Sequence, residues 1–188
     1  MIGSNLSFGK LDSVGKSVGR ADNNGRSQAH RLISTGAQNG LLNDNATIWF
    51  SVLWRPGASA SSDRGAFLFG NTAFGTASGD PKTAGDGFGF SPFDGAQQSS
   101  IRASAWVSGD ASDDPNTSVD TGINHEAATT YLVVGKINWK PVGTPDEYFL
   151  FNISDPTASE PEEISAVASI TSVDVDQSGW DTIALYEN

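Results

Sequence analysis

The chain has no cysteine, one methionine and two histidines in 188 residues. The missing cysteine excludes a disulfide framework, a thiolate metal site and a cysteine nucleophile. His30 and His125 lie far apart in sequence. With no Gly-x-Ser-x-Gly turn between strand and helix, they do not build the usual serine hydrolase triad. They also leave too few nitrogen ligands for zinc. Basic side chains are scarce, 11 against 22 acidic, giving a net charge of −11 and a pI near 4.3. Such a field repels nucleic acid and anionic membranes, and favours cations, calcium above all, or neutral ligands. No apolar run approaches the roughly 18 residues of a membrane span. The opening Met1-Ile-Gly-Ser-Asn-Leu-Ser has neither the basic start nor the apolar centre of a signal peptide. An extracellular protein would therefore carry its export signal outside this chain.

What is present is strand signal and turn chemistry. The length fits one domain, residues 1–188, which at this size buries roughly 70% of its unfolded surface without staples. Glycine numbers 21, and Ser, Thr, Asn and Asp fill the intervals between apolar runs. Ala46–Arg55 alternates at period two, with Ile48, Phe50, Val52 and Trp54 on one face. Trp49, Ser51, Leu53 and Arg55 fall on the other, so this strand is expected to be covered on both sides. Further strands are expected at Asn5–Phe8, Val14–Arg20, Ala29–Ser34, Ala66–Gly70, Gly87–Ser91, Ile101–Val107 and Thr130–Asn138. Others follow at Glu147–Ile153, Ile164–Ile170 and Thr182–Tyr186. The glycines of Gly85-Asp-Gly-Phe-Gly-Phe-Ser mark a strand where another backbone or a ring comes close. Helical periodicity is confined to a turn or two near Asp155–Glu163, where Pro156 and Pro161 oppose it. The pattern predicts an all-β, two-sheet antiparallel sandwich of the jelly-roll kind.

Two polar stretches, residues 75–87 and 108–118, read as long surface loops. The acidic clusters do not form a catalytic pattern. Glycosidases on such sandwiches carry alternate carboxylates along one strand, facing one cleft, and a retaining pair stands about 5–5.5 Å apart. Asp110, Asp113 and Asp114 lie in a Gly/Ser stretch, Asp146 and Glu147 begin a strand, and Glu160, Glu162 and Glu163 flank Pro161. None alternates inside an apolar strand, so catalysis is not expected. Asp174-Val-Asp-Gln-Ser-Gly179 copies the first half of an EF-hand loop, but Leu185 stands where the bidentate acid belongs.

Asn5-Leu-Ser-Phe, the glycine-rich 15–25 stretch, Thr47-Ile-Trp-Phe-Ser-Val-Leu and Gly65-Ala-Phe-Leu-Phe-Gly come in a telling order. They are followed by Thr130-Tyr-Leu-Val-Val-Gly-Lys-Ile-Asn, Phe149-Leu-Phe-Asn-Ile-Ser-Asp-Pro and Trp180-Asp-Thr-Ile-Ala-Leu-Tyr. In order and spacing these runs resemble laminin-G-like, concanavalin A-like jelly-roll domains of exported bacterial surface proteins of the planctomycete and verrucomicrobial type. The resemblance spans nearly the whole chain. It implies a fold of the lectin and glucanase type and an extracellular or cell-surface setting. It also implies a structural calcium held by the Asp that opens the last strand, here Asp181, together with carbonyls of an early loop. The short C-terminal sorting signal of many such proteins is missing from this sequence.

Two functions remain. The first is a non-catalytic carbohydrate-binding or adhesion module, with a glycan or surface polysaccharide as partner. Arg102 and Trp106 alternate onto one face of their strand, and Phe93 and Asp94 sit on a neighbouring turn. Together they offer an aromatic ring, a guanidinium and a carboxylate for a sugar. The second is a building block of a surface fibre or coat that self-associates, with Asn5–Phe8 as a strand able to pair with a neighbour.

Overall fold

Period-two alternation, with β-branched and aromatic residues at the apolar positions, sets the architecture. In a computed structural model, residues 7–8, 11–12, 27–32, 34–55, 66–71, 86–91, 100–107, 117–126, 129–153 and 160–187 are described. The strands are β1 (Ser7–Phe8), β2 (Leu11–Asp12), β3 (Ser27–Leu32), β4 (Thr47–Trp54), β5 (Ala66–Asn71) and β6 (Gly87–Ser91). They continue with β7 (Ser100–Trp106), β8 (Thr117–Asn124), β9 (Tyr131–Asn138), β10 (Asp146–Ile153), β11 (Ala168–Val173) and β12 (Trp180–Glu187). One short helix, α1, spans Thr35–Leu41. No helix among the described residues is long and apolar enough to cross a membrane.

Two antiparallel sheets carry the fold, a four-stranded one in the order β11-β10-β9-β4 and a six-stranded one in the order β3-β12-β5-β6-β7-β8; β1 and β2 pair with each other. The chain passes between the large sheets four times, from β3 to β4, β4 to β5, β8 to β9 and β11 to β12. The all-β, two-sheet antiparallel expectation holds, with four departures among the strands and helices. The expected strand at Ile164–Ile170 is displaced to β11, and Glu163–Ser165 instead form a 3-10 turn. β2, β8 and α1 are additions. Val14–Arg20 lies outside the described residues.

The core sits between the sheets. Phe67, Phe69, Phe88, Phe90, Ile101, Ala103 and Ala105 face Ile48, Val133, Ile137, Tyr148, Leu150 and Ile170, all buried. Burying a large apolar side chain is favourable by about 1.5–3 kcal/mol, so this layer dominates the stability. Phe50 meets Phe67 at 5.0 Å and Phe88 meets Tyr148 at 5.2 Å between ring centroids, while Trp139 and Trp180 cross edge to face at 4.8 Å. Two glycines permit this closeness. A Cβ on Gly89 would run into the Phe67 carbonyl, and one on Gly135 into the Phe50 ring. The expected close approach around Gly89 is thus observed, and its carbonyl accepts the Tyr148 hydroxyl at 2.8 Å across the sandwich.

Candidate functional site

The alternation that buries Ile101, Ala103 and Ala105 sends Arg102, Ser104 and Trp106 to the outer face of the six-stranded sheet, as expected. Register confirms the shared face: Trp106 stands opposite Gly87, Ser104 opposite Gly89 and Arg102 opposite Ser91. That face is covered, however. Trp106 is 5% exposed, while Ser104 and Leu68 on the same face are fully buried. A ring this covered offers no open side for a pyranose. Arg102 is also engaged: Nε donates to Ser118 Oγ at 3.1 Å, and a terminal nitrogen reaches Asp120 Oδ2 at 3.1 Å. Burial pulls Asp120 upward, but the Gly122 amide, the Ser100 hydroxyl and Arg102 together hold its carboxyl below the usual range. The pair fastens β7 to β8. Phe93 and Asp94 lie outside the described residues.

The more open aromatic surface is on the other side of the molecule. Register across β4, β9 and β10 places Thr47, Trp49, Ser51 and Leu53 beside Asn138, Lys136, Val134 and Leu132. Those in turn lie beside Glu147, Phe149, Phe151 and Ile153. This is the outer face of the four-stranded sheet. Trp49 is partly exposed, stacks on Phe151 at 5.7 Å, and has Lys136 Nζ 5.2 Å from its ring centroid. Beside it runs a polar network. Lys136 Nζ donates to Glu163 Oε1 at 2.6 Å, and Thr47 Oγ1 donates to Asn138 Oδ1 at 2.9 Å. Asn138 Nδ2 donates to both Glu147 and Glu163, at 3.0 and 3.1 Å, and Lys140 closes on Glu147 at 3.1 Å.

Two carboxylates therefore meet on one amide nitrogen, a juxtaposition invisible to a search along single strands. Glu147 comes from β10 and Glu163 from the 3-10 turn after the 154–159 stretch. Hydrogen bonds from Asn138 and Lys140 hold the Glu147 carboxyl below its ordinary value, and those from Lys136 and Asn138 do the same for Glu163. Both are charged at neutral pH, so the pair offers acceptors and no proton donor. A retaining glycosidase needs one of its two acids held protonated.

Three further acids, Asp146, Asp174 and Asp176, hold the backbone. Asp146 is fully buried; its two oxygens accept the Lys140 amide at 2.8 Å and the Val175 amide at 2.9 Å. Burial pushes its carboxyl up, and the two amides only partly offset that, with Asp174 and Asp44 adding to the rise. In the half EF-hand match, Asp174 accepts from the Gly143 amide and Asp176 caps its 3-10 turn through the Ser178 amide. His125 is buried and packs 5.4 Å from the Trp54 ring.

Asp181 is the second residue of β12, beside Thr182, whose hydroxyl donates to it at 2.7 Å. Calcium takes six to eight oxygens. Among the described residues no group of three or more His, Asp or Glu gathers to hold a metal, and the early loop expected to add carbonyls is not among them. In comparisons with known proteins, no family model, no curated protein and no solved structure matches the chain.

Proposed function

We propose that this protein is a non-catalytic, extracellular or cell-surface carbohydrate-binding or adhesion module on a concanavalin A-like jelly roll. One observation carries the reading: the partly exposed Trp49 ring within the frame of Lys136, Asn138, Glu147, Glu163 and Thr47. A pyranose needs a π-face for its C–H groups and charged or amide partners for its hydroxyls, and the partly exposed ring with its charged and amide neighbours is a set of those two kinds. The two ionised carboxylates favour binding over hydrolysis. The four passages between two antiparallel sheets support the jelly-roll type. The net charge of −11 directs the module to neutral or cation-bearing glycans, as in a surface polysaccharide.

The experiment is a glycan array of the parent chain, followed by titration of any hit against Trp49→Ala and Trp106→Ala. Affinity is expected in the micromolar to millimolar range, corresponding to about 4–8 kcal/mol. Trp49→Ala should abolish it. An array with no hit, or binding that survives Trp49→Ala, would overturn the reading. A second reading, a building block of a fibre or coat, is favoured by one specific observation: among the described residues no strand lies on the outer side of β4.

A further inference from the structure

Of the outermost strands in the two large sheets, β8 and β11 are guarded or covered among the described residues. β8 carries a register shift against β7 between Ser100 and Arg102, a positive φ of 71° at Gly122, and the half-exposed charge of Asp120. β11 is shifted against β10 and packs against β7 and β8 of the opposite sheet. Bulges, charges and covered edges are how sheets avoid adding strands from other chains.

β4 has none of these devices. Thr47-Ile-Trp-Phe-Ser-Val-Leu-Trp54 contains no charge, proline or glycine, and pairs with β9 over eight consecutive residues without a shift. Among the described residues no strand lies on its other side. Its apolar side chains Trp49, Phe50, Val52, Leu53 and Trp54 stay only partly buried.

We infer that this edge is a self-association seam, where β4 of a second copy adds antiparallel to make one continuous eight-stranded sheet across a twofold axis. The strand is self-complementary. Directly opposed residues must share a face, so the axis passes through a residue and not between two. With the axis at Ser51, Phe50 meets Val52, Ile48 meets Trp54 and Trp49 meets Leu53 of the other copy, each ring against an aliphatic side chain. With the axis at Phe50, two Phe50 rings collide in the inner layer and Trp49 meets only Ser51. The first register is the one the sequence favours. Each copy carries −11, so the uncharged strand is where two copies can approach, and added salt strengthens the contact by screening the rest.

The test uses the full chain in sedimentation or light scattering over rising concentration. The mass should climb from 19.7 kDa towards twice that value, and further at higher salt. Ser51→Lys, an exposed position, should hold it at 19.7 kDa with the parent's dichroism. Because the chain has no cysteine, Ser51→Cys gives one thiol per copy, and a short bismaleimide should join two copies through it. Thr47→Cys should not join, since its thiols would stand eight residue steps apart, about 27 Å. A mass fixed at 19.7 kDa, a dimer untouched by Ser51→Lys, or equal cross-linking by Thr47→Cys would each overturn the seam. Ser51 lies two residues from Trp49 on the same face, so glycan affinity is read on the parent chain below its association concentration, which keeps the two questions separate.

Discussion

Replacing Asp146 with alanine should be among the costliest polar substitutions in this molecule. The carboxylate is fully buried and clamps two segments, the Lys140 amide before the exposed 141–145 turn and the Val175 amide after β11. Val175 is 1% exposed, so its amide would lose its partner where water does not reach, at about 1–3 kcal/mol. The Lys140 amide lies beside the exposed turn and can turn to solvent, adding roughly 0.5–1 kcal/mol. Together the loss is about 2–4 kcal/mol, or roughly 4–16 °C in Tm for a chain of this size. Asp146→Asn keeps one acceptor and should cost less. Its pH dependence has a defined sign. Burial raises the folded carboxyl above its unfolded value, so the parent's contribution from protonating Asp146 is full below about pH 3.9 and is lost as pH rises through the folded value. The gap between parent and Asp146→Asn should therefore widen as the solution is acidified from neutral. Chemical denaturation at several pH values measures it. An alanine variant within 1 kcal/mol of the parent would refute the clamp, and a gap that narrows towards acid would refute the rise that burial gives its carboxyl.

Glu147 and Glu163 should behave in the opposite way. Their lowered carboxyls contribute stability above about pH 4.3, lost as pH falls through the folded values, so Glu163→Gln should flatten acid-side melting by under about 1 kcal/mol at this exposed site. Gly135→Ala should cost about 1–3 kcal/mol in denaturant titration, because the Phe50 ring must move. Gly89→Ala should cost more, since the Phe67 carbonyl that opposes it is backbone. Trp106→Ala should lower stability by about 3–5 kcal/mol as a buried ring, whereas Trp49→Ala should leave the melt much nearer the parent.

The fold was legible where one face of a strand is apolar. β4, β6, β9 and β10 follow directly from alternation at Ile48–Trp54, Phe88–Phe90, Leu132–Ile137 and Tyr148–Leu150. β8 was hidden because only Val119 and Ile123 mark its inner face, while Ser118, Asp120 and Gly122 read as loop. α1 was hidden because Thr-Gly-Ala-Gln-Asn-Gly-Leu has two glycines and no amphipathic stripe. Alternation also placed Arg102 and Trp106 on one face correctly, yet it says nothing of what lies over that face, and the ring is buried. The Glu147–Asn138–Glu163 convergence needed three separate elements to meet. The nearest sequence signal was Trp49 alternating to the outside of β4 with Lys136 and Asn138 alternating to the outside of β9.

The most direct test of the binding face is a nuclear magnetic resonance titration of the five tryptophan indole N–H signals with an oligosaccharide found on the array. Ligand should move the Trp49 signal, and leave those of the buried Trp106, Trp139 and Trp180 where they stand. Movement of Trp106 with Trp49 unchanged would return the site to the six-stranded sheet and contradict the account.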